Sequence, residues 1–133
     1  MRNKISYTIV RVLLGLAFIF FGVTKFYPLG ESPALAQPAM DFLIAMGNTG
    51  YFIPFLAAAE ILVGLLLLAN FWVPLAMMIL SPIILNVILF NAFLAPSLAS
   101  LIMLLVLVAL QAYIIYCTWN AYRPLFAKRT IVR

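Results

Sequence analysis

Glu60, Arg11 and Lys25 are charged groups placed where a chain this apolar has to justify them. Glu60 stands inside the run from Tyr51 to Ala69, which is long enough to cross a membrane. Placing an ionisable group at that depth costs roughly 2.5–3.5 kcal/mol on insertion scales, so it needs a partner or a task. The chain holds only three acidic residues, which makes an incidental carboxylate a poor explanation. Two chemistries are open. A paired Glu60 is an electrostatic staple between helices; an unpaired one could carry a proton or hold the polar group of a ligand.

The spacing of the cations favours a pair. Arg11, Gly15, Phe18, Gly22 and Lys25 recur at intervals of four, three, four and three, which sets them on one helix face. Ala57, Glu60 and Gly64 share a face in the same way. Small residues beside charges indicate close backbone approach and a shielded polar seam. With a rise of ~1.5 Å per residue, Glu60 lies about 14 Å below the external end of its helix and Arg11 about 21 Å below Lys25. The remaining gap of roughly 7 Å is within the reach of arginine, so Arg11–Glu60 is the expected pair, with Lys25 snorkelling to the external headgroups.

Other polar residues are graded by depth. Asn86 falls near the level of Glu60 and is expected in the same pocket, and Asn91 near its outer mouth. Ser81, Gln111, Tyr113, Tyr116 and Asn120 complete the set. Tyr113, Tyr116 and Asn120 share a face, and Gln111 points elsewhere. Amides of this kind ordinarily bond between helices, for ~0.6 kcal/mol each. Tyr116, Trp119 and Tyr122 suit an interface belt.

The elements that must hold these groups follow from composition. Of 133 residues, 68% are hydrophobic and 8% charged, which excludes a soluble domain and leaves room for one membrane domain spanning 1–133. Four spans are predicted: Ile5 to Phe26, Tyr51 to Ala69, Val73 to Phe93 and Leu98 to Tyr122. None shows the alternation of a barrel strand, and helices satisfy their own backbone in lipid. The fold class is therefore all-α, a four-transmembrane-helix up-down-up-down bundle. Pro54 and Pro74 suit first turns, whereas Pro82 is internal and should kink its helix. The first loop holds Pro28, Gly30, Pro33 and Pro38, then the apolar stretch Ala39 to Met46, then Gly47-Asn48-Thr49-Gly50. That order predicts a short interfacial helix bounded by turns. Tight turns are expected at Asn70–Pro74 and at Ala95-Pro96-Ser97, forcing antiparallel neighbours.

Arg2 and Lys4 precede the first span, and Arg123, Lys128, Arg129 and Arg133 follow the last; the first loop has Glu31 and Asp41 and no cation after Lys25. The positive-inside rule places both termini in the cytoplasm and the 28–50 loop outside. The net charge of +5 belongs to topology and lipid headgroups, and no nucleic-acid partner is expected. Arg2 and Lys4 with the following apolar run also resemble a signal peptide, but Arg11 interrupts that run and no small-x-small cleavage site follows. An uncleaved first span is expected. The chain has no His, which removes bis-His haem and the usual transition-metal sites. Cys117 is the single cysteine, so an intramolecular disulfide or Cys-x-x-Cys centre is impossible. There is no Gly-rich phosphate loop, and three scattered carboxylates make no metal cage, so no catalytic or metal residue is assigned and no cofactor is held by a recognisable motif.

In order and spacing, four stretches resemble the DoxX family of small bacterial membrane proteins, within the DoxX/DoxD-like group. They are Arg11-Val-Leu-Leu-Gly-Leu-Ala-Phe-Ile-Phe-Phe-Gly-Val-Thr-Lys25, Phe42 through Pro54, Glu60-Ile-Leu-Val-Gly64, and Ser81-Pro82 through Asn91. They cover about the first two-thirds of the chain. The resemblance implies a four-span bundle of the bacterial inner membrane with cytoplasmic termini. It points to Arg11, Lys25, Glu60 and Asn86 as the polar cluster. It also implies a link to thiosulfate:quinone oxidation, as an accessory or quinone-reactive subunit, or to membrane complexes of oxidative-stress defence. His is expected where this chain has Asn91, a departure that removes a titratable group.

Three function classes result. The first, and the one expected, is a non-catalytic binding or accessory protein whose intramembrane pocket takes a quinone, lipid or similar amphiphile, with the bilayer and a membrane or redox protein as partners. The second is a quinone-reactive subunit of an oxidoreductase, which needs its redox centre from another chain. The third is a small proton-coupled transporter using Glu60. Four helices are few for a transport path, so that class requires a homo-oligomer.

Overall fold

The computed structural model describes residues 4–27 and 36–127. Arg2, Lys128, Arg129 and Arg133, together with Pro28, Gly30, Glu31 and Pro33 of the first loop, lie outside the described residues. Among the described residues six α-helices follow one another: α1 (Lys4–Phe26), α2 (Gln37–Asn48), α3 (Phe52–Ala69), α4 (Val73–Phe93), α5 (Leu98–Cys117) and α6 (Trp119–Tyr122), the last running into a 3₁₀ turn at Arg123–Phe126. Helices α1, α3, α4 and α5 are each long and apolar enough to span a membrane.

Turn chemistry explains the boundaries. Asn70 adopts the left-handed conformation (φ 55°) just past α3, and the amides of Phe71 and Asn70 bond back to the carbonyls of Leu66 and Leu67. That double closure ends the helix. Trp72 is also left-handed (φ 49°) and stacks on Phe71 with centroids 4.6 Å apart, so the chain reverses within three residues. Pro74 then occupies the first turn of α4, where no amide partner is missed. At the other reversal the Ser97 hydroxyl accepts the Ser100 amide at 3.1 Å and caps α5, giving an acceptor to one of the donors a helix start leaves orphaned. The fourth predicted span ends early: α5 stops at Cys117, and Thr118 separates it from the single turn of α6.

Successive spans are antiparallel, and α1 packs on α3, α3 on α4, α4 on α5 and α5 on α1, which closes a ring. Its interior is filled by Leu14, Phe18, Val63, Leu67, Met77, Leu80, Ile84, Leu107 and Ile114. Lipid tails are as apolar as these side chains, so their contact gains van der Waals packing and little from leaving water. Polar ties between helices therefore matter. Gln111 is one: it is buried, and its amide nitrogen donates to Ser81 Oγ at 2.9 Å and to the Met77 carbonyl at 3.4 Å. Ser81 in turn donates to the same Met77 carbonyl at 2.8 Å, tying α5 to α4 one residue before Pro82. The short helix expected over Ala39–Met46 is α2, longer at both ends; it packs on α3 and sets Phe42 against Phe90 of α4 with centroids 5.6 Å apart.

Candidate functional site: a buried ion pair on a cavity

The closest seam runs between α1 and α3. A Cβ built at Gly15 would meet the Gly64 carbonyl at 3.0 Å, and one at Gly22 would meet the Ala57 carbonyl at 2.8 Å. Backbone meets backbone along this line, which large side chains would prevent. The seam sets the register: Gly22 lies level with Ala57–Ile61, Gly15 with Gly64, and Arg11 with Leu67.

That register overturns the expected Arg11–Glu60 pair. The Glu60 partner is Lys25, whose Nζ lies 2.7 Å from Glu60 Oε2. Leu67, the residue Arg11 reaches, is seven positions past Glu60, about 10 Å along the helix. Depth counted from the helix ends sets Lys25 level with the start of α3, which the packing does not keep. The glycine seam draws α1 in by about one turn, so that Lys25 reaches across to Glu60 rather than out to the headgroups. Glu60 is 5% exposed and Lys25 28%; among the described residues Lys25 is the only hydrogen-bond donor to the carboxylate, and it uses one oxygen.

Arg11 has a separate task. It is buried, and its guanidinium donates to the carbonyls of Leu67 and, at 3.2 Å, Leu68, while Tyr7 presents its ring face 5.9 Å away. Those carbonyls belong to the last turn of α3, the negative end of its dipole, where a cation is favoured. Arg11 thus fastens α1 to the end of α3. Arg11→Met is expected to cost about 1.5–3 kcal/mol, the range for hydrogen bonds to a charged group, and Arg11→Lys to recover only part of it. Thermal unfolding in detergent checks this, and a parent-like Arg11→Met would remove Arg11 from the account.

The ion pair opens on a half-open cavity of about 160 Å³ lined by α1, α4 and α5, with Glu60 of α3 on its wall. Phe18, Phe21 and Thr24 form its α1 wall, Ile84 and Val87 its α4 wall, and Met103, Leu104 and Leu107 its α5 wall. Toward the 94–97 turn lies a larger, almost wholly apolar cavity of about 510 Å³, bounded by Ile88, Asn91, Ser97, Leu98 and Leu101. Leu104 lines both.

Of the five residues expected to cluster, Lys25 and Glu60 meet in the first cavity and Asn91 lines the second, its amide donating to the Val87 carbonyl at 2.8 Å. Asn86 does not join them; it is exposed on the outside of α4. Its depth was judged without its direction: at ~100° per residue it points about 200° from Ile84 and 100° from Val87, which face the cavity. The α5 wall carried no sequence signal, because lining residues such as Leu104 resemble every other leucine of the span. Phe18 was visible through its place on the Arg11–Lys25 stripe.

The DoxX family model matches residues 6–92, well over half of the chain. No curated protein and no solved structure matches it. The matched segment contains α1 to α4 almost entire, including Lys25 and Glu60, and stops before α5.

Proposed function

The chain belongs to the DoxX family and is a multi-pass membrane protein, and on that premise we propose that it is a non-catalytic binding or accessory subunit for an amphiphile such as a quinone or a lipid. The carrying observation is the ion pair's position. Lys25 and Glu60 stand on the wall of a cavity otherwise lined by apolar groups and Thr24, inside the bundle. A staple alone would require no space beside it.

The chemistry of the wall restricts the head group. Lys25 Nζ has three donors and gives one to Glu60 and one, at 3.4 Å, to the Phe21 carbonyl, and Glu60 keeps an oxygen without a protein donor among the described residues. A small head bearing a carbonyl and a hydroxyl, or a quinol, satisfies both, whereas a quinone offers acceptors to Lys25 alone. The volume admits such a head and no long chain, which would continue past Leu104 into the larger apolar cavity. On this reading the basic flanks set both termini on the cytoplasmic side of the bacterial inner membrane, and the 94–97 end opens outward. Redox chemistry, where it occurs, would be supplied by a partner subunit.

Native mass spectrometry of the purified protein tests this. The parent chain is expected to carry one amphiphile per protomer. Glu60→Gln, near-isosteric and able to fold, is expected to lose at least nine-tenths of it. Full retention by a folded Glu60→Gln would contradict the proposal.

A further inference from the structure

Two amides of the spans have their bonds made within the chain: Asn91, near the end of α4, to the Val87 carbonyl and Gln111 to Ser81 and Met77. Asn86 differs. It is exposed, and among the described residues nothing bonds to it. It is seven residues from Phe93 and thirteen from Val73, about 10 Å inside the nearer end of a helix about 31 Å long. That depth is within a hydrocarbon layer of about 30 Å, where no water can serve the amide. The face around it consists of Leu75, Met78, Pro82, Leu85 and Leu89, all exposed and spaced three or four apart. Ser81 alone adds a hydroxyl there, and it is already used by Met77 and Gln111.

We propose that this face of α4 is the interface with a second copy of the chain, joined through a reciprocal Asn86–Asn86 hydrogen bond. A primary amide carries donors and an acceptor, so it is its own complement. Copies inserted in the same sense, related by an axis along the membrane normal, bring identical residues to identical depth. The Asn86 of one copy therefore meets the other's, as polar groups do in helix association in lipid. The surrounding face offers no charge and no second amide that would select a different partner. The cavities lie on the opposite side of α4, through Ile84, Val87, Ile88 and Asn91, so the interface leaves them free and is independent of the ligand proposal.

Single cysteines placed in a Cys117→Ser chain, reconstituted in phosphatidylcholine vesicles and oxidised, test it. Asn86→Cys and Leu89→Cys are expected to give a covalent dimer. Leu105→Cys, exposed at the same depth on α5, and Cys117→Ser alone are expected to give none. In parallel, energy transfer between labelled chains is expected to show dimer association weakened roughly 3- to 20-fold by Asn86→Leu, with helix content unchanged, because among the described residues Asn86 bonds to nothing within its own chain. Failure to cross-link at 86, equal cross-linking at 105, or parent-like association of Asn86→Leu would overturn the proposal. So would an adduct of Asn86→Cys in native membranes to a different protein in place of a second copy.

Discussion

Gly64→Leu is expected to force α1 off α3 and leave no stable bundle, although each helix remains helical. At Gly64 even a Cβ would stand 2.5 Å from Ile19 Cγ1, 2.6 Å from the Gly15 carbonyl and 3.0 Å from the Ile19 amide. Two of those atoms are backbone, so no rotamer change relieves the clash and the helices must separate. Separation also breaks the ties that depend on this register, Lys25–Glu60 and Arg11 to the end of α3. Gly64→Ala is expected to cost about 1–3 kcal/mol, as overpacking does. Gly47→Ala is the control: a Cβ there meets nothing within 4 Å, and a helical glycine replaced by alanine gains up to ~1 kcal/mol. Near-UV circular dichroism during thermal unfolding in detergent separates lost packing from lost helix. A Gly64→Leu protein melting with the parent would show that the seam does not hold the bundle.

Removing Lys25 is expected to cost more than removing Glu60, although both end the same 2.7 Å contact. Lys25→Met leaves a carboxylate that is 5% exposed with no cation beside it. Breaking a buried pair in this way costs about 3–5 kcal/mol. Glu60→Met leaves an ammonium on a long stem, 28% exposed and in the last turn of α1. It can extend outward along the apolar wall and stays favoured by the dipole of its own helix, so about 1 kcal/mol is expected. The double variant Lys25→Met/Glu60→Met buries no charge and should be more stable than Lys25→Met alone. Chemical unfolding of the four proteins as a double-mutant cycle checks the order. Equal costs for the two single variants would mean that Glu60 is better solvated than its burial indicates.

The sequence made the architecture legible because lipid imposes it. Apolar runs of fixed length, turn residues between them and glycines at regular intervals marked four antiparallel helices and the face by which α1 approaches α3. The pairing within that seam was out of reach, since depth counted from helix ends cannot tell how far one helix slides along its neighbour. A slip of about one turn exchanged Lys25 for Arg11 as the partner of Glu60. Direction was the second blind spot. Asn86 has the right depth and the wrong azimuth, whereas the bond between helices expected of the amides is made by Gln111, which points to α4 and bonds there. Apolar cavity walls such as Met103 and Leu104 have no signature that separates them from lipid-facing neighbours.

The proposed amphiphile in the cavity beside Lys25 and Glu60 is tested most directly by photolabelling in vesicles with a diazirine-bearing long-chain quinone, followed by peptide mapping. Adducts are expected on residues 84–91 of α4 and 101–107 of α5, to disappear with excess unlabelled quinone or lipid, and to be absent in Glu60→Gln. Labelling spread evenly over the lipid-facing surfaces, unaffected by competitor and unchanged in Glu60→Gln, would contradict it and leave Glu60 as a staple alone.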